Sequence, residues 1–212
     1  MEIMSALRFS SLIILFPILF GACGRSELIR IRMLAPVTED KKDYAIFTDT
    51  TSSSSFTPTI TNKQIGGSLY FLFKSIGLGY TTITTKMEKK TGTDHTEKTT
   101  LVTNFTDVAF GIGENYSFMW GAGVLSGGKM ETSLNSFNPK NNYLGGHSIF
   151  FVLGHHGFGF ETLLGYRTNF IKAEFEEINS TKIGKTDKEF TYESNKISFT
   201  TSQVQLGIGF TF

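Results

Sequence analysis

Gln203-Val204-Gln205-Leu206-Gly207-Ile208-Gly209-Phe210-Thr211-Phe212 are the last ten residues of the sequence, and their alternation decides the fold. In a strand, successive side chains point to opposite faces. Val204, Leu206, Ile208, Phe210 and Phe212 therefore share one face, and Gln203, Gln205, Gly207, Gly209 and Thr211 share the other. A strand of a soluble sandwich would carry charges opposite its apolar face. Glycine and small polar groups there suit a narrow lumen crowded by neighbouring strands.

The same formula recurs upstream. Phe158, Phe160, Leu164, Tyr166 and Phe170 oppose Gly159, Glu161, Gly165, Arg167 and Asn169. Tyr116, Phe118, Trp120, Ala122 and Val124 oppose Ser117, Met119, Gly121 and Gly123; Val108, Phe110 and Ile112 oppose Asp107, Ala109 and Gly111; Ile76, Leu78 and Tyr80 oppose Ser75, Gly77, Gly79 and Thr81. No 3.6-residue period persists. Connections alternate between short ones, at Lys74-Ser75, Glu114-Asn115 and His155-His156-Gly157, and long polar ones at 50–55, 87–98, 127–145 and 176–195. Short turns at one rim and long loops at the other describe an up-and-down membrane barrel. The expected strands are 43–50, 57–73, 76–86, 99–112, 116–126, 147–154, 158–175 and 196–212, making an all-β, eight-stranded antiparallel transmembrane barrel with both ends on one side.

Composition agrees with strands that are greasy on one face only: 40% hydrophobic residues, 21 Phe and 22 Gly, with only four Pro. A net charge of +1 argues against nucleic acid, which calls for a basic surplus on one face. Arg8 precedes an apolar run, Phe9 to Phe20, that ends in Gly21, Ala22 and Cys23. This order is that of a secretory signal peptide, and the run is well short of the ~20 residues of a spanning helix. Membrane insertion after export must then use strands. Residues 1–22 are read as signal peptide, 23–42 as a lipidated or flexible tether, and 43–212 as the barrel. Within the tether, Leu28 to Arg32 alternates in the manner of a strand. Cys23 is the only cysteine, so no intrachain disulfide forms; Gly-Ala-Cys at the end of the run resembles a bacterial lipoprotein box with Cys23 as the acylated residue.

On the alternating strands and the terminal Phe212, residues 43–212 resemble small bacterial outer-membrane barrels of the OmpA-transmembrane and OmpX type. The resemblance implies location in the bacterial outer membrane among its lipids. It also implies that Val204, Leu206, Ile208, Phe210 and Phe212 form a signal read by the barrel-assembly machinery. Two aromatic rings are expected at the membrane interfaces: Phe73, Phe110, Tyr116, Phe118, Phe158, Phe210 and Phe212 near the short turns, and Tyr80, Phe170 and Phe199 towards the long loops.

Asp107, Glu161, Arg167, Gln203 and Gln205 fall on the inner faces. Eight strands leave room only for the barrel's own side chains, and buried charges must pair. The expectation is a polar plug centred on Arg167, with Asp107 or Glu161 as its partner. No metal or cofactor site is expected: His155 and His156 are adjacent in a turn and diverge, and His95 and His147 lie in or beside outer loops. His147 and Ser148 invite comparison with barrel enzymes that remodel lipid A, but adjacent residues point to opposite faces. The reading is a non-enzymatic barrel with a structural or surface-interaction role, its charged outer loops open to a host or surface ligand. Two alternatives stand beside it. A soluble lipocalin-like barrel would turn the apolar faces inward; an outer-membrane lipid-modifying enzyme would need a His/Ser/acid cluster at the outer rim.

Overall fold

Alternation along the chain becomes closure when each strand pairs on both edges. The computed structural model describes residues 29–37, 48–49, 59–91, 95–134, 138–157, 159–176, 190–191 and 195–212. The barrel strands are β1 (Ile29–Pro36), β2 (Thr59–Phe73), β3 (Ile76–Thr91), β4 (His95–Gly113), β5 (Tyr116–Leu134), β6 (Asn141–Gly157), β7 (Phe160–Phe175) and β8 (Lys196–Thr211). Each pairs antiparallel with its chain neighbours, and β1 closes the circle by pairing with both β8 and β2. The short connections fall where expected at Lys74-Ser75 and Glu114-Asn115. Lys74 takes a φ of 56°, in the left-handed region that tight hairpins use.

The register fixes the width. Tracing pairs from Arg32 through Tyr70, Gly79, Asp107, Gly123, Ser148 and Asn169 leads to Thr201. Across the closing seam, however, Arg32 faces Gly209. The offset, 209 − 201 = 8 residues, is the shear. Eight strands with a shear of eight tilt by about 36° and enclose a packed interior rather than a pore.

Three expectations need correction. Among the described residues the barrel already includes Ile29–Pro36, inside the segment read as a tether and ahead of residue 43. Of the strand expected at 43–50, only Thr48–Asp49 is described, and it pairs with Phe190–Thr191 outside the barrel. The physical reason is that β1 turns Arg30 and Arg32 into the lumen, so a strand with basic inner residues resembled a solvated linker. Second, the stretches expected as long loops at 87–98 and 127–145 are largely strand, because β3 to β6 continue well past the apolar belt. Third, His155, His156 and Gly157 lie in β6, which turns only after Gly157. The segment expected to be a signal peptide, Cys23 and Phe158 lie outside the described residues.

Outward-facing side chains are apolar over the half of the barrel nearest the short turns. Leu69, Phe71, Ile76, Leu78, Val124, Ile149, Leu153, Leu164 and Leu206 are all exposed. This belt covers 65–73 on β2, 116–124 on β5 and 204–212 on β8 with the residue that follows it, nine residues each. At about 3.3 Å per residue and ~36° of tilt, nine residues climb roughly 24 Å, close to the ~25 Å apolar band of outer-membrane barrels. Tyr116, Phe118, Phe160 and Phe212 stand at its lower rim, and Tyr80, Tyr166 and Phe170 on its upper half. Phe199 departs from the expected ring: it is half-buried and packs against the interior.

Candidate functional site

Inside the belt the lumen is filled in layers. Nearest the short turns, Arg32 of β1 is clamped by Glu161 of β7: Nε donates to Oε2 and Nη2 to Oε1, both at 2.8 Å. Ser117 of β5 accepts from Nη2 at 2.7 Å and donates to Glu161 Oε1 at 3.0 Å. Arg30 Nη2 donates to the Gly113 carbonyl at 2.6 Å, at the mouth of the barrel. Gly209 leaves the room for this pair, since a Cβ there would stand 2.6 Å from Glu161 Oε2.

An apolar layer follows, made of Leu34, Leu72, Ala109, Met119, Val152 and Leu163. Above it Arg167 of β7 and Asp107 of β4 form the second pair, both with fully buried side chains. Nη1 donates to Oδ2 and Nη2 to Oδ1, each at 2.9 Å. The guanidinium also donates to Ser148 Oγ (2.5 Å), Thr81 Oγ1 (3.0 Å), Tyr70 Oη (3.2 Å) and Asn169 Oδ1 (2.9 Å). Its carbon lies 4.7 Å from the Phe105 ring centre and 5.4 Å from that of Phe150, so a planar cation is matched by edge acceptors and by aromatic faces. Gln205 Nε2 donates to Ser68 Oγ at 3.2 Å. Gln203 is buried beside Arg167 as its cross-strand neighbour. Gly123 provides the space opposite Asp107, whose carboxylate occupies the position a Cβ would take.

All five polar residues expected inside the barrel are therefore there, but in two clusters. Asp107 is the partner of Arg167. Glu161 belongs to Arg32, a residue assigned to the tether by sequence reasoning. A signal for it existed: two inner carboxylates and one inner guanidinium leave a charge unmatched, and the alternation of Leu28 to Arg32 offered the missing cation. Ser148 points inward to Arg167. His147 points outward and stacks on Phe170 at 4.9 Å between ring centres. The two thus stand on opposite faces of β6. Among the described residues, no group of three metal-ligating side chains converges.

Above the belt the outer face becomes charged, and the interior combines an apolar cluster with buried Glu97, Thr99 and Thr132. Lys86, Lys90, Lys98, Lys129, Glu131, Lys172 and Lys196 point out to solvent, while Leu101, Met130, Leu134, Ile171, Ala173 and Phe175 pack together inside. The upper part is built like a small soluble barrel stacked on the lower one. A lipocalin-like barrel would be apolar inside along its whole length. Here Asp107, Glu161 and Arg167 are enclosed in the lower half while its apolar side chains face out, the reverse of that arrangement.

No protein-family model matches this sequence, and no curated protein matches it. Among solved structures, the chain is similar to the crystal structure of the outer membrane protein OprG from Pseudomonas aeruginosa. The TM-score is 0.41 at 11% identity, over 89% of this chain and 98% of that one.

Proposed function

We propose that the chain is a bacterial outer-membrane barrel, closed by its own side chains, that holds a stiff β-structured platform at the cell surface for interaction with other molecules. The observation that carries this reading is the change of outer face: apolar outside over ~24 Å around an interior that holds two buried ion pairs, then charged outside above, around an apolar cluster with Glu97, Thr99 and Thr132 buried near it. Only a change of solvent along the barrel axis favours both halves at once, since exposed apolar area is costly in water and exposed charge is costly in lipid. The two ion pairs, separated by an apolar layer, argue against a continuous water path, so neither pore nor transport activity is assigned. An enzymatic reading finds no support in the outward His147 and inward Ser148.

Leu78 tests the membrane reading. It stands on the outer face between Phe71 and Val108 of the flanking strands. Leu78→Arg is expected to destabilise the barrel in lipid by about 2–4 kcal/mol, whereas a charge change at Lys86, above the belt, should cost under ~1 kcal/mol. Urea unfolding in vesicles, with heat-modifiable gel migration as the readout of the folded barrel, makes the comparison. Equal effects at both positions, or release of the parent protein into the soluble periplasm, would defeat the reading.

The proposed lipid anchor fits the same geometry. Cys23 precedes Ile29 by six residues, a reach of up to ~20 Å, and β1 starts at the short-turn rim. Acyl chains on Cys23 would then lie in the leaflet bordering the periplasm. Palmitate labelling of the parent chain, lost in Cys23→Ala, is the expected result; an unlabelled parent rejects the anchor.

A further inference from the structure

The pairing between β5 and β6 is shorter than either strand. It runs from Tyr116 and His155 to Val124 and His147 and ends there. Yet β5 continues to Leu134 against β4, and β6 extends to Asn141 against β7. Among the described residues, nothing pairs with the facing edges of 125–134 and 141–146.

Local irregularities on both strands open this seam. Phe105 faces Leu125 while Asn104 faces Gly127, which makes Ser126 an extra residue where the pairing stops. On β6 the register shifts between Asn141 and Tyr143. Bulges bend a strand and terminate pairing, and Gly128, with φ at 146°, adds a backbone turn that other residues resist. Partway up the seam Leu144 reaches across to β5, its Cδ2 3.2 Å from where a Cβ of Gly128 would stand. A cleft of about 850 Å³ runs along the open edge from Leu125 to Ser133, with Leu144 in its wall. Lys98, Lys129 and Lys140 line it, and Glu131 is the one acid among the lining residues.

We propose that this cleft docks an extended peptide segment of another protein, carrying acidic side chains, which adds as a strand to the free edge of β5. A row of alternating N–H and C=O groups is matched by another strand better than by any other partner, and such addition is an established recognition mode. Beyond the Leu144 contact at Gly128, the free edge of β5 runs over 129–134, which is the length of an ordinary strand. Lysine beside an edge discourages neutral strands from adding; Lys129 is paired with Glu131 at 2.7 Å, and Lys98 and Lys140 add the positive charge that favours an acidic strand. The seam opens where the apolar belt ends, at Val124, so the site would lie on the outer side, within reach of a partner. This inference rests on the membrane reading above and names the surface through which the platform acts.

The test uses the full chain in lipid nanodiscs, first checked for heat-modifiable migration, with a fluorescent decapeptide of alternating valine and aspartate as probe. Saturable binding is expected, weakened at least tenfold by N-methylating the peptide amides, by exchanging its aspartates for lysines, or by Lys129→Glu with Lys140→Glu. Amide exchange across 129–134 should slow when the peptide is added. Absence of binding, or equal binding of the N-methylated peptide, overturns the proposal. So does exchange at the free edge that is already as slow as in 116–124 before peptide is added, which would mean that the edge is occupied by another segment of the chain or a second copy. A sample lacking heat-modifiable migration sinks the barrel reading itself, and the docking site with it.

Discussion

Asp107→Ala is expected to lower the stability of the barrel by about 3–5 kcal/mol, because it strands the Arg167 guanidinium inside a lumen without its counter-charge. The neighbours limit the loss without removing it. Ser148, Thr81, Tyr70 and Asn169 remain as neutral acceptors, and Phe105 and Phe150 keep their faces towards the cation. The reverse single change, Arg167→Met, leaves a buried carboxylate with hydroxyl partners only, and should cost at least as much. Asp107→Leu combined with Arg167→Met removes both charges and is expected to recover most of the loss, since apolar replacements of a buried pair are often neutral. Arg167→Lys is not conservative here, because an ammonium cannot hold both Asp107 oxygens in one plane. The measurement is a double-mutant cycle on urea midpoints in lipid vesicles, followed by the emission of Trp120, the only tryptophan. A double variant as unstable as the single ones would show that the ion pair is not the unit that matters.

What could be read from the sequence follows the solvent. Over the apolar belt, each strand has one greasy face and one small or polar face, and the alternation of 203–212, 116–124 and 76–81 was legible for that reason. Above the belt the greasy outer face disappears. Lys86-Met87-Glu88-Lys89 and Glu97-Lys98-Thr99-Thr100-Leu101 still alternate, with Met87, Glu97, Thr99 and Leu101 buried. Their outward charges make them look like solvated loops. Strand β1 was hidden for a related reason, because arginine in a lumen and arginine in a linker are the same letters. The inner charge balance could have found it. Pairings such as Arg32 with Glu161, 129 positions apart, depend on the closing register of β1 against β8, and no local pattern carries that information. The seam between β5 and β6 is equally silent in the sequence: Gly127 and Gly128 mark a weak point, but which edge opens is set by the bulge at Ser126 and the one near Asn141.

Phe212→Asp is expected to abolish assembly in cells while leaving the finished barrel nearly intact. Phe212 closes the seam through its backbone, its N–H donating to the Ile29 carbonyl at 2.9 Å and its carbonyl accepting from the Ile29 N–H at 3.1 Å. Neither bond needs the aromatic ring. The ring is 70% exposed and stands at the lower rim of the belt, where a charge on the lipid face costs only about 0–1 kcal/mol. Refolding of the purified variant into vesicles should therefore reach the parental urea midpoint within about 1 kcal/mol. If Val204, Leu206, Ile208, Phe210 and Phe212 are recognised as a docking strand by the assembly machinery, the in-cell yield of heat-modifiable barrel should fall more than tenfold, with the chain degraded in the periplasm. Leu206→Thr, which changes the same outward row in mid-belt, should lower both yields together, because its side chain serves the barrel itself. The contrast between the two variants carries the test. Normal in-cell assembly of Phe212→Asp would remove the recognition role from the terminus, and failure in vesicles as well as in cells would make Phe212 a structural residue instead.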